Sequence, residues 1–218
     1  MLKIISAFSI LILITFSVLT PAQTSNSLQI NGGIVFPPNS PAGFNANLQF
    51  NYSLNNNMQI YIYSGYSHWN KYNVNFTESL SAIQQITHFY TYLSDNHVLI
   101  PVFVGAKMNF AKNRIFTAST LFEVGYSHLN YDSYSVKKEV DPNTGQVLNY
   151  YTDRSTQKKV TQNLFGFGVG IELSHDFTKI FGVLLSFKLN GQLNSGSFKY
   201  LSGLGSYTSL NLGFYLKI

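Results

Sequence analysis

The chain has 218 residues, of which 16% are aromatic but only 11% charged, against about 25% charged in soluble domains. The formal net charge is +5 with both signs mixed along the chain, so there is no basic stripe of the kind that nucleic-acid binding needs. There is no cysteine, which excludes a disulfide framework, a thiol nucleophile and a cysteine-linked lipid anchor.

The N-terminus reads as an export signal. Lys3 supplies the positive start, Ile4–Leu19 is an apolar run, and Thr20-Pro21-Ala22 presents small residues to a signal peptidase. Cleavage after Ala22 divides the chain into a signal peptide, 1–22, and one mature domain, 23–218. After that run, no apolar stretch approaches the roughly 20 residues of a spanning helix. Alternation with a period of two takes over. In "FNANLQFNYSL", Phe44, Ala46, Leu48, Phe50, Tyr52 and Leu54 fall on one face, with Asn45, Asn47, Gln49, Asn51 and Ser53 on the other.

The same pattern marks Leu28–Phe36, Met58–Trp69, Val98–Phe110, Ile115–Leu129, Leu164–His175, Phe181–Leu193 and Tyr207–Ile218. With Phe44–Leu54 these make eight strands, most of them long enough to cross a bilayer at a tilt. Their connections alternate in length. Asn55–Asn57, Ala111–Arg114 and Asp176–Lys179 have tight-turn compositions, whereas Pro37–Gly43, Asn70–His97, Asn130–Asn163 and Asn194–Ser206 are long. Short turns at one end and long loops at the other are the pattern of transmembrane barrels.

A soluble lipocalin-like barrel also has eight alternating strands, with its apolar face inward. Its water-facing set should then be rich in Lys and Glu. Here that set is Asn, Gln, Ser and Gly, which suits a crowded interior, so the apolar face is turned outward to lipid. The predicted fold is all-β: an eight-stranded antiparallel transmembrane β-barrel with short periplasmic turns and longer extracellular loops. Leu48, Phe167, Val169, Leu185 and Phe214 are expected to face lipid. Asn47, Gly168, Glu172, Lys188 and Asn211 are expected to face the lumen.

Four charges fall on the lumen phase: Lys107, Glu123, Glu172 and Lys188. Counted from the short turns, Lys107 and Glu172 share one height, and Glu123 and Lys188 another. Eight strands enclose little more than their own side chains, so these charges are expected to pair as a polar plug, with a gate across a narrow pore as the alternative. The five histidines suggest no catalytic, cofactor or metal site. His68, His128, Tyr66, Tyr126 and Trp69 suit a membrane-interface girdle, although Trp69 joins it only if a bulge breaks the alternation. In Asn130–Asn163, "DPNTG" marks a turn, so this segment reads as a hairpin prolonging two strands beyond the membrane. In Asn70–His97, Leu80, Ile83, Ile86, Tyr90 and Leu93 fit either a short amphipathic helix or extended strands.

The ending "NLGFYLKI" alternates to the last residue, as a strand that must close a ring does. Asn211, Gly213, Leu216 and Ile218 resemble the C-terminal signal read by the outer-membrane barrel assembly machinery, with Ile218 where an aromatic is usual. The mature chain resembles the small eight-stranded barrels of the outer-membrane protein A or X type. "GYSH" at Gly65–His68 and Gly125–His128 resembles barrel domains of Bacteroidetes-like bacteria. The resemblance implies a monomer in the bacterial outer membrane, in contact with lipid and with the assembly machinery. Loops 70–97 and 130–163 are the candidates for an extracellular ligand. The leading expectation is a non-enzymatic protein with an envelope structural or loop-binding role. A narrow porin-like channel and a lipid-modifying enzyme are the alternatives.

Overall fold

The computed structural model describes residues 25–80, 85–113, 115–193 and 205–218. The signal segment 1–22, the 81–84 stretch of the helical spacing and most of the 194–206 connection lie outside the described residues.

Nine antiparallel strands form one sheet: β1 (Ser27–Phe36), β2 (Gly43–Ser53), β3 (Met58–Trp69), β4 (Tyr72–Leu80), β5 (Gln85–Lys112), β6 (Thr117–Val140), β7 (Val147–Asp176), β8 (Phe181–Leu193) and β9 (Tyr207–Lys217). Eight of them close a ring. β9 pairs with β1 from Ser27↔Lys217 to Phe36↔Thr208, and β3 pairs with β5 from Met58↔Met108 to Trp69↔His97. The ring therefore bypasses β4. The Ile218 N–H donates to the Asn26 carbonyl at 2.8 Å, so the alternation that runs to the C-terminus completes the ring and leaves no free edge there.

The two faces of the ring have opposite chemistry. Ile30, Leu48, Ile62, Val104, Val124, Val169, Leu185 and Leu212, one from each ring strand, point outward and are 41–62% exposed. Gln29, Gln49, Asn51, Glu123, Glu172, Lys188 and Asn211 point inward and are at most 6% exposed. Soluble monomers rarely expose apolar patches beyond a few hundred Å². A continuous apolar belt around a polar filling instead matches hydrocarbon outside, where every backbone group must be satisfied by the ring itself.

Two features differ from the sequence expectation. The sheet has a ninth strand, because Asn70–His97 holds β4 and the upper half of β5 as an extended hairpin; Ile86, Tyr90 and Leu93 lie in a strand rather than a helix. Trp69 does not join the outer girdle. It points inward and is 2% exposed, because β3 keeps its alternation through its last residue. The break falls just beyond, at Lys71 (φ 31°) and Asn96 (φ 57°). There β5 sets Asn96 and His97 against the single residue Tyr131 of β6. This bulge changes the phase of β5 where the closed ring gives way to its outer extension.

Candidate functional site in the lumen and the outer hairpins

Inside the ring, the four lumen charges form two pairs. Lys107 of β5 is ion-paired with Glu172 of β7, both buried. Nearer the hairpin end, Lys188 of β8 donates to Glu123 of β6 at 3.0 Å. The Glu123 carboxylate also accepts the hydroxyls of Tyr61 (2.8 Å) and Tyr63 (2.9 Å) and the Asn190 amide (2.6 Å). The Lys188 ammonium lies 4.2 Å from the Tyr63 ring centroid. A buried carboxylate is tolerated when its lone pairs are filled and a cation is adjacent, and Glu123 meets both conditions. The three uncharged partners fall on the lumen phase of "MQIYIYSGYSHW" and "FGVLLSFKLNGQL". Phase alone would have found them; counting only charges did not.

Gly168 of β7 makes room for this cluster. A Cβ placed there would lie 2.6 Å from both Cγ and Oε1 of Glu123 and 2.7 Å from the Asn190 amide nitrogen. Those atoms are held by the network and cannot move aside freely. Gly168→Ala is therefore expected to destabilise the ring by about 1–3 kcal/mol, the usual cost of overpacking, as measured by urea unfolding in lipid vesicles. An Ala variant as stable as the parent would mean that the Glu123 network is loose.

The lumen narrows from one end to the other. At the turn end, Lys107, Gln29, Gln59, Asn109, Ser174 and Tyr215 help line a polar vestibule of about 150 Å³. Beside Lys188, Asn190 and Tyr207 only about 10 Å³ is open, no more than one water needs. Above this level Val35, Trp69, Leu99, Leu129, Leu164 and Tyr207 pack as an apolar cap. His97 is stacked within it, 5.3 Å from the Trp69 ring and 5.4 Å from Tyr131. The lumen is thus closed by ion pairs below and aromatic packing above.

The other histidines point elsewhere. His68 faces outward against Phe44, with ring centroids 5.6 Å apart. His128 faces outward with its Nδ1 2.9 Å from the Asn163 amide oxygen. Tyr66 and Tyr126 lie on the same outward face. His88 is 3.5 Å from Thr77 on the upper hairpin, and His175 is bonded to the Ile115 carbonyl at the turn end.

Beyond the ring, the β4–β5 and β6–β7 hairpins pack face to face. Phe76 stacks on Tyr150 at 4.4 Å, and Thr91 and Thr152 share a hydrogen bond of 2.7 Å. A wide bulge aims the second hairpin: Arg154–Gln157 of β7 face the single residue Tyr134 of β6. Asp153 fastens the bulge by accepting the Ser155 hydroxyl at 2.6 Å and pairing with Lys137 at 2.6 Å. Glu78 joins the two hairpins, accepting the Tyr150 hydroxyl and the Lys138 ammonium.

These contacts hold both carboxyls below their ordinary range. Lys137 and then Ser155 bring Asp153 to about 2, and Tyr150 and then Lys138 lower Glu78. Groups with depressed folded pKa values contribute stability above the unfolded values, 3.8 for Asp and 4.5 for Glu. That contribution is lost as the pH falls through the folded values. The protection of amides in residues 134–157, relative to intrinsic exchange at each pH, is expected to fall between pH 4 and pH 2 while protection in the ring stays high. Uniform protection down to pH 2 would show that these pairs do not fasten the hairpins.

Solved structures share this architecture. Neisserial surface protein A superposes with a TM-score of 0.56 at 13% identity, covering 89% of this chain and 98% of that one. A major outer membrane protein from Thermus thermophilus superposes at 0.54 with 8% identity, covering 89% and 100%. The chain has the fold of the small outer-membrane β-barrels. No family model matches it, and no curated protein matches it in sequence. Short turns such as 54–57 and 177–180 lie at one end of the ring and the long hairpins at the other, the arrangement of transmembrane barrels. The aromatic pairs Phe44–Tyr66 and Tyr126–Phe165 lie toward the hairpin end, and Phe177–Phe181 and Phe181–Phe214 toward the turn end.

Proposed function

We propose that this chain is a monomeric, non-enzymatic barrel of the bacterial outer membrane that acts at the cell surface through its hairpins or serves as an envelope structural component, with its lumen permanently plugged. The observation that carries this reading is the closed lumen directly beneath two long, mutually packed hairpins. Material that cannot pass through the ring can still be met above it, and exposed loops on a rigid scaffold are where binding residues concentrate. In this reading the Lys107–Glu172 and Glu123–Lys188 pairs are structural. Asn211, Gly213, Leu216 and Ile218 serve assembly, presenting the last strand to the barrel assembly machinery. Gly213 has a further reason to be glycine: a Cβ there would collide with the Asn31 side chain directly across the β1–β9 seam.

The test is electrical. Purified protein reconstituted in planar bilayers is expected to give no resolvable single-channel steps, and fractionated cells to yield it with outer membranes. Steady ion-selective openings would replace the plug with the narrow-channel reading. Recovery from the soluble periplasm would remove the membrane reading as well.

A further inference from the structure

Among the described residues, the outward face of the β4–β5 hairpin from Asn73 to Tyr90 carries no Lys, Arg, Asp or Glu, while the neighbouring β6–β7 extension carries Lys137, Lys138, Arg154, Lys158 and Lys159 among others. On β4, Asn73, Asn75 and Thr77 alternate outward. Directly across from Asn75 stands Tyr90 of β5, whose ring is 73% exposed. The β1–β2 loop folds against this face. Asn39 adopts a left-handed conformation (φ 56°), which asparagine accepts more readily than most residues. Its carbonyl accepts the Asn73 N–H at 2.7 Å, and its side-chain amide reaches the Tyr72 hydroxyl at 3.4 Å. Loop and hairpin together wall a groove of about 620 Å³, lined by Asn39, Ser40, Pro41, Tyr72, Asn75 and Tyr90 among others.

We propose that this groove binds a neutral saccharide presented outside the cell. Sugars have apolar C–H faces that stack on aromatic rings and hydroxyls that both donate and accept. Tyr90 supplies the ring. The carboxamides of Asn39 and Asn75 supply paired donors and acceptors. The lining disfavours an anionic ligand, since it contains no cation and the nearby Lys71 ammonium lies over the Tyr92 ring, 5.2 Å from its centroid. It also disfavours an added peptide strand. The Asn73 N–H at the free edge of β4 is already bonded to Asn39, so a ladder cannot run through the groove.

This proposal rests on the surface-binding reading and is tested apart from it. The full chain in lipid nanodiscs is applied to an array of neutral, sialylated and sulfated glycans, with Tyr90→Ala and Asn75→Ala alongside. Retained heat-modifiable mobility in gels shows that each variant still forms the barrel. The expected result is capture of neutral glycans by the parent and at least a tenfold loss in both variants. Capture confined to anionic glycans, no capture at millimolar ligand, or undiminished capture by folded Tyr90→Ala overturns the proposal. A chain shortened by residues 135–153 separates the two readings. If that deletion abolishes capture of a defined panel of glycans and matrix proteins while Tyr90→Ala does not, the groove falls and surface binding stands. If the parent captures nothing beyond bare nanodiscs, both fall.

Discussion

Glu123→Ala is expected to lower the unfolding stability of the barrel by about 3–5 kcal/mol, the range for removing one partner of a buried ion pair. The reason lies in what the variant leaves behind. Lys188 keeps its charge in a space where it is 6% exposed, and the hydroxyls of Tyr61 and Tyr63 and the Asn190 amide lose their common acceptor. Lys188→Met is expected to cost a similar amount by leaving the carboxylate without its cation. The double change Glu123→Ala/Lys188→Met removes both charges together, so its cost should fall well below the sum of the singles. Urea unfolding in lipid vesicles measures all three. The same cycle on Lys107 and Glu172 should show coupling of the same sign but smaller total loss, because that pair borders the turn-end vestibule, where water can approach. Simple additivity at both pairs would remove the plug. If conductance rather than stability changed in the single variants, the charges would be a gate.

The second large effect lies on the other side of the same wall. Val169 stands near the middle of the part of β7 that pairs with β8 in the ring, pointing outward between Phe122 of β6 and Leu189 of β8. Val169→Arg is expected to cost about 2–4 kcal/mol, the penalty for a cation at the bilayer midplane of a barrel. Val169→Leu should cost almost nothing. Folding yield and urea midpoint in vesicles report both. An arginine tolerated at Val169 as easily as leucine would mean that this face does not meet hydrocarbon, and the inside and outside of the ring would have to be exchanged.

The phase of each ring strand was legible in the sequence because side-chain direction along a strand has a period of two and lipid and lumen demand opposite chemistry. Leu48, Val169, Leu185 and Phe214 are exposed on the outward face, and Gly168, Glu172, Lys188 and Asn211 are buried on the inward one. The pairing heights of Lys107 with Glu172 and Glu123 with Lys188 followed from counting residues up from short turns, since each residue advances a strand by a fixed rise. The β6–β7 hairpin was legible from "DPNTG", because the local turn chemistry sits between strand-like flanks.

The rest required the tertiary structure, because it depends on contacts between segments far apart in the chain. Apolar spacing in Asn70–His97 fits a helix or a hairpin equally well. What decided between them was pairing along β5 and the packing of Phe76 and Phe89 on Tyr150, 60 or more residues away. Trp69 was drawn toward the interface by its residue type, but β3 remains paired with β5 through Trp69↔His97 and carries the indole inward. The groove beneath Tyr90 has no sequence signature at all. It exists because a loop between the first two strands is hydrogen-bonded to the fourth, and period-two patterning specifies which way a residue points but not which distant segment it will meet.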